Sequence, residues 1–151
     1  MKKWIWLAAL ALFLLPQRGT EVGKLLPVET LLIEKQAGQY RVSTDTGHTA
    51  RGDSLEKAVD ALRAEAPGIL FLDTADYVLL TGEAEECTEK LPNYVRPGTR
   101  VYKLEGTVEL SKIGPYLKTH GPDTPLYRLQ KRELRLPKLM AEGEKLRFEG
   151  Q

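Results

Sequence analysis

One cysteine, Cys87, stands among 151 residues, so no disulfide can close within the chain and the fold has to rest on its core. A thiol nucleophile needs a histidine and an oxyanion site beside it. His48 and His120 are far from Cys87 in sequence and no family motif surrounds it, which favours a half-buried structural cysteine on a helix. The same three residues lack metal-ligand spacing. Also missing are a Gly-rich phosphate loop, a Gly-x-Ser-x-Gly elbow and paired carboxylates in a recognisable setting. No catalytic residue, cofactor or metal ligand is therefore assigned, and the chain is expected not to be an enzyme. Aromatics are scarce at 7%, and both tryptophans, Trp4 and Trp6, sit at the extreme N-terminus, so the core must be built from aliphatics, tyrosine and a little phenylalanine. Charge of one sign is lacking too, with 22 basic against 21 acidic residues. Residues 1–18 hold Lys2, Lys3 and Arg18 and no acid, so the remainder carries 19 basic and 21 acidic residues, a net −2, which argues against nucleic acid as a general partner.

Only one long hydrophobic run occurs. Lys2 and Lys3 precede an unbroken apolar stretch from Trp4 to Leu15, closed by Pro16. This is the order of a secretory signal, and the stretch is shorter than a bilayer-spanning helix requires. No small-x-small pattern closes it, so cleavage and retention as an anchor both stay open. No cysteine near its end offers a site for a diacylglyceryl anchor. The expected organisation is a signal peptide or uncleaved anchor at 1–18, a linker at 19–23 and a single domain over 24–151. Export follows, to the outer face of a membrane or into the medium.

Within the domain, "KLLPVETLLIEK" reads as a strand whose Pro27 confines its first part to an edge or an entry, and "QYRVSTD" returns after a turn at Gly38. The stretch "ARGDSLEKAVDALRAEAPG" opens on Arg51, Gly52 and Asp53, a tripeptide that resembles a cell-adhesion ligand. Leu55, Ala58, Val59 and Leu62 behind it repeat at helical spacing, which makes Asp53 the expected N-cap, with Glu56 reaching back three places later and Pro67 and Gly68 ending the helix. "GILFLD" and "DYVLLTG" read as two buried strands, "EAEECTEKL" as a second helix with acids in its first turn, and "TRVYKLEG" as a strand. "TVELSKIGPYLKTHG" fits a third helix, capped by Thr107 and bent or shortened at Gly114 and Pro115. From Thr124 onward the tail alternates like strand, with a turn at residues 141–144. The fold class is α+β: one mixed or antiparallel sheet with two or three packed helices.

Gly52 and Ser54, Ala58 and Leu62, Pro67, Leu70 to Leu72, Val78 to Leu80, and Gly82 with Glu83 follow an order that resembles the N-terminal domain of the Ger(x)C family, the C subunits of spore germinant receptors. Arg96 and Arg100 resemble that family's two arginines before a strand, and the resemblance extends over about residues 21–130. Typical members are lipoproteins of about three domains, so this sequence is similar to a single-domain or truncated relative without the lipid-bearing cysteine. The resemblance implies a non-enzymatic, membrane-proximal binding or assembly module in spore germination, with receptor membrane subunits as partners. It carries over no active-site residue. The alternative is a freely secreted or envelope protein of unrelated purpose, such as a small inhibitor or ligand carrier.

Arg128, Lys131, Arg132, Arg135 and Lys138 form the densest basic feature and the candidate interaction surface. Two readings stand side by side. The stripe is the solvated face of a strand with Leu126, Leu129, Leu134 and Leu136 inward, or it meets an anionic membrane surface.

Overall fold

Leu55, Ala58, Val59 and Leu62 form the buried face of helix α1 (Leu55–Glu65) in the computed structural model, which describes residues 22–143 and 145–150. The expected export segment, 1–18, and linker residues 19–21 lie outside the described residues. Pro67 pushes Ala66 into extended backbone (ψ 140°) and so ends the helix. The N-cap differs from the expectation. It is Ser54, extended at φ −141°, ψ 161°, whose hydroxyl accepts from the Lys57 N–H at 3.2 Å. Asp53 lies one residue too early for the orphan N–H groups, and its carboxylate instead takes the Lys57 ammonium at 3.2 Å. The reciprocal box is thereby out of register, because its third helical position is Lys57 and not Glu56.

Gly52 explains why the helix starts there. It ends strand β4 of the sheet, opposite Tyr40, and a Cβ on it would stand 2.5 Å from the Ala58 nitrogen and 2.9 Å from the Lys57 carbonyl carbon. Only a glycine lets the first turn of α1 lie this close to the strand. Arg51 is exposed and pairs across the sheet with Arg41. The tripeptide is thus distributed over a strand end, a helix contact and a surface ion pair.

The strands are β1 (Leu25–Pro27), β2 (Thr30–Gln36), β3 (Gln39–Thr44), β4 (Thr49–Gly52), β5 (Ile69–Phe71), β6 (Tyr77–Gly82), β7 (Arg100–Gly106), β8 (Lys138–Glu142) and β9 (Lys145–Phe148). Seven of them form one mixed sheet in the order β4-β3-β2-β6-β7-β8-β9. Its centre, β2 to β8, is parallel, and an antiparallel arm flanks each side. The β2–β3 hairpin turns on Ala37 (φ 51°) and Gly38 (φ 78°), the two left-handed positions that a two-residue hairpin demands. The stretch expected as one strand around Pro27 is two. β1 stops at Pro27 and pairs in parallel only with β5, making a separate two-stranded ribbon. β5 is consequently not the buried strand expected: Ile69 and Phe71 are exposed, and a 3₁₀ turn at Leu72–Thr74 redirects the chain before β6.

Helices cover both faces of the sheet, and the fold is α+β. On one face Leu31, Ile33, Val42, Val78, Leu80 and Val101 pack beneath α1, a 3₁₀ segment at Glu83–Glu89 and the short helix α3 (Leu126–Gln130). On the other, Tyr77, Leu79, Tyr102, Leu104, Leu139 and Phe148 pack against Ile113 and Leu117 of α2 (Leu110–His120). The expected second helix is instead 3₁₀, starting after Gly82 at φ 62° and followed by a second 3₁₀ turn that holds Pro92. Helix α2 begins after Glu109, with no side-chain cap from Thr107, and runs through Pro115. The tail alternation holds only for the β8–β9 hairpin, since Leu126 and Leu129 are spaced for a helix and are buried on α3. Among the described residues no helix is long and apolar enough to cross a membrane.

The capping geometry sets the expected mutational pattern. Ser54→Ala should lower stability by about 1 kcal/mol through the lost cap, whereas Asp53→Ala should leave the urea midpoint nearly unchanged because it removes only an exposed ion pair. Urea melts of the two variants check this, and a larger loss for Asp53→Ala would reverse the assignment.

Candidate interaction surface

The basic segment begins where Pro125 leads into α3 and Leu126 and Leu129 turn inward, leaving Tyr127 and Arg128 outward. The helix end is closed by two backbone bonds, Arg132 N–H to the Leu129 carbonyl at 2.9 Å and Glu133 N–H to the Arg128 carbonyl at 3.1 Å. This closure needs a left-handed residue, usually glycine; here it is Arg132, at φ 58°. Beyond it Leu134 and Leu136 pack, half-buried, on the main core and draw the chain toward β8.

The five sequence-predicted cations consequently divide. Arg128 lies 3.5 Å from Glu133, and Lys138, a β8 residue, reaches Glu105 on β7 at 2.8 Å. That contact raises the Lys138 pKa, its hydrogen bond to Glu105 being the main cause. Lys131, Arg132 and Arg135 are exposed and have no ion pair among the described residues. The stripe is therefore a cluster of three free cations at one turn, with two neutralised cations beside it.

Arg132 also faces acids. It shares with Leu129 and Gln130 a groove of about 460 Å³ whose other wall is Glu85, Glu86, Thr88 and Glu89 of the 3₁₀ segment. Most of the acidic cluster is already committed to lysines on the strands beneath it. Glu85 pairs with Lys103 of β7, and Lys35 at the end of β2 reaches Glu86 at 2.6 Å and Glu83 at 3.8 Å. These acids are exposed, as a first turn of acids implies, and they also anchor the segment to the sheet.

Glu86 is the pivot. Its Oε1 accepts from both the Lys35 ammonium and the Tyr40 hydroxyl, the latter at 2.5 Å. Those two bonds hold the Glu86 carboxyl below the usual range, and the bond to Glu86 followed by burial pushes Tyr40 up to about 12. Engaged by two donors, the carboxylate stays ionised and fastens helix to hairpin. Lys35 and Tyr40 face each other because the two-residue turn at Ala37 and Gly38 puts them in register. Glu86 carried no such signal, since its approach depends on the 3₁₀ path. Cys87 next to it is buried, more deeply than expected, and burial raises its thiol pKa. His48 bonds Thr46 at 3.0 Å and His120 stacks on Tyr116. Among the described residues no three of His, Cys, Asp and Glu converge to hold a metal ion.

At the opposite ends of the parallel strands, Arg96 and Arg100 line one depression with Glu29, Asp76, Tyr77 and Lys118. Arg96 is paired with Asp76, and the Arg100 guanidinium sits 5.9 Å from the Tyr77 ring centre. Comparison of the chain with protein-family models, with curated proteins and with solved structures finds no match.

Two outcomes are expected. Arg132→Gly relieves the left-handed strain and should raise stability by about 1 kcal/mol, read as a higher urea midpoint. Tyr40 favours the folded state while protonated, so its contribution is full below the ordinary tyrosine range near 10 and is lost as pH rises toward about 12. Absorbance titration should show two tyrosines ionising only near 12, Tyr40 and Tyr102, and Glu86→Gln should bring one of them down. An unchanged titration in Glu86→Gln would refute the Glu86–Tyr40 bond.

Proposed function

We propose that the chain is a non-enzymatic binding or assembly module held at the outer face of a membrane, akin to the first domain of the Ger(x)C proteins, and that it works in spore germination through contacts with receptor membrane subunits. The observation that carries this reading is the N-terminal pattern, Lys2 and Lys3 before the apolar run Trp4–Leu15, joined by a short polar stretch to a folded α+β domain. The sequence resemblance adds the partner class. It is supported by the positions that carry it: Gly52 is needed for the α1 contact, Pro67 for its end and Val78 to Leu80 for the core. Lys131, Arg132 and Arg135 suit a membrane-facing role, each cation near an anionic surface contributing about 1 kcal/mol.

Fractionation of sporulating cells tests the reading. The chain is expected in the membrane pellet, sensitive to protease added from outside, and cross-linked in place to integral receptor subunits. Release into the medium with a trimmed N-terminus would overturn it in favour of the secreted inhibitor or carrier.

A further inference from the structure

The β1–β5 ribbon has two apolar faces, and only one of them is used by the fold. The parallel register sets Leu25 beside Ile69, Leu26 beside Leu70 and Pro27 beside Phe71. Leu26 and Leu70 turn inward to the main core. The alternate residues, Leu25, Pro27, Ile69 and Phe71, therefore share the outer face. Ile69 is 49% and Phe71 44% exposed, two of the three large hydrophobic side chains left exposed among the described residues. Single apolar residues at a surface are ordinary, but here Pro27, Ile69 and Phe71 are exposed side by side with half-buried Leu25 on one strand-pair face that has no polar side chain.

We propose that this outer face rests in the interfacial layer of the bilayer that holds the chain's own apolar run. The inference builds on the membrane-attached reading above and adds which side of the domain meets lipid. Its support is where the N-terminal stretch joins the domain. Leu25 begins β1 only ten residues after Leu15, so the ribbon lies within about 35 Å of the end of the apolar run even at full extension. Such a tether makes docking an intramolecular event, for which a few apolar side chains suffice, although they would hold an untethered protein poorly.

The ribbon is also built as a fixed plate. A Cβ at Gly68 would stand 2.4 Å from the Lys24 carbonyl oxygen, a close approach that seats the start of β5 against β1. The Thr74 hydroxyl then ties the far end, accepting from Val28 N–H and donating to the Val28 carbonyl, both at 3.0 Å. Docking through this face is apolar and insensitive to salt, in contrast to headgroup attraction by Lys131, Arg132 and Arg135.

The test uses the full chain reconstituted in phosphatidylcholine–phosphatidylglycerol vesicles. An environment-sensitive fluorophore is attached at Phe71→Cys, at Ile69→Cys, or at Arg147→Cys on the edge strand β9; buried Cys87 stays unlabelled. Circular dichroism confirms the fold of each, and the position-69 variant carries the test should the other misfold. Probes at 69 and 71 are expected to shift to the blue and to be quenched by lipids bearing a shallow nitroxide, in low and high salt alike, while the probe at 147 does neither. Chains that float with vesicles while both ribbon probes stay in water would overturn the docking face and leave membrane attachment standing. Energy transfer between labelled copies without lipid quenching would assign the face to a second copy. Failure to float would remove both readings.

Discussion

Leu31 lies opposite Val78 and Ile33 opposite Leu80 across the parallel pair β2–β6, and on the reverse side Leu32 lies opposite Leu79. Everything else hangs on that register. Because both faces of the sheet are covered, a slip of one residue would send each of these side chains into the wrong core and bring Glu34 under a helix. The hairpin that carries α1 is attached to one side of β2, and the 3₁₀ segment and both later helices follow from the other side of β6. The Lys35–Glu86–Tyr40 contact sits at the carboxyl end of the same pair, where it pins the 3₁₀ segment across the hairpin.

The parts of this arrangement that local chemistry decides were legible in the sequence. Helix α1 and its proline stop, the turn at Gly38, the edge position of Pro27 and the α+β class all follow from spacing and from the restricted backbone of glycine and proline. The parts decided by distant partners were not. Asp53 and Ser54 are equally good caps on paper, and the choice between them was made by Gly52, which lets the helix begin against β4 only at Leu55. β5 looks like any buried strand, since "GILFLD" is apolar throughout; its outer residues are exposed because its partner is β1 and not β6. The leucines of the basic segment mix helical and strand spacing, and the structure uses both, α3 first and an extended crossing afterwards.

The same division applies to charge. A sequence shows five cations in eleven residues but not which acids lie across from them, and here Glu105 and Glu133 each claim one. What remains exposed is concentrated at the turn where Arg132 occupies a left-handed position that glycine would fill with less strain. That residue joins a backbone constraint to a free charge at one point of the surface. The apolar ribbon and the cationic turn are thus two separate features on one domain, one suited to hydrocarbon and the other to anions.

The parallel centre of the sheet also determines the order in which the chain becomes safe. β2, β3, β4 and α1 are contiguous in sequence and can assemble as they are made, but β2 lacks its second neighbour until residues 77–82 arrive, and β7 lacks its own until residues 138–142. During synthesis the unpaired backbone most open to a stray strand is therefore the middle of the finished sheet. The native edges, short and bearing Arg51 on one side and Lys145 and Arg147 on the other, are guarded by charge; the interior seams are guarded only by the speed at which the rest of the chain follows.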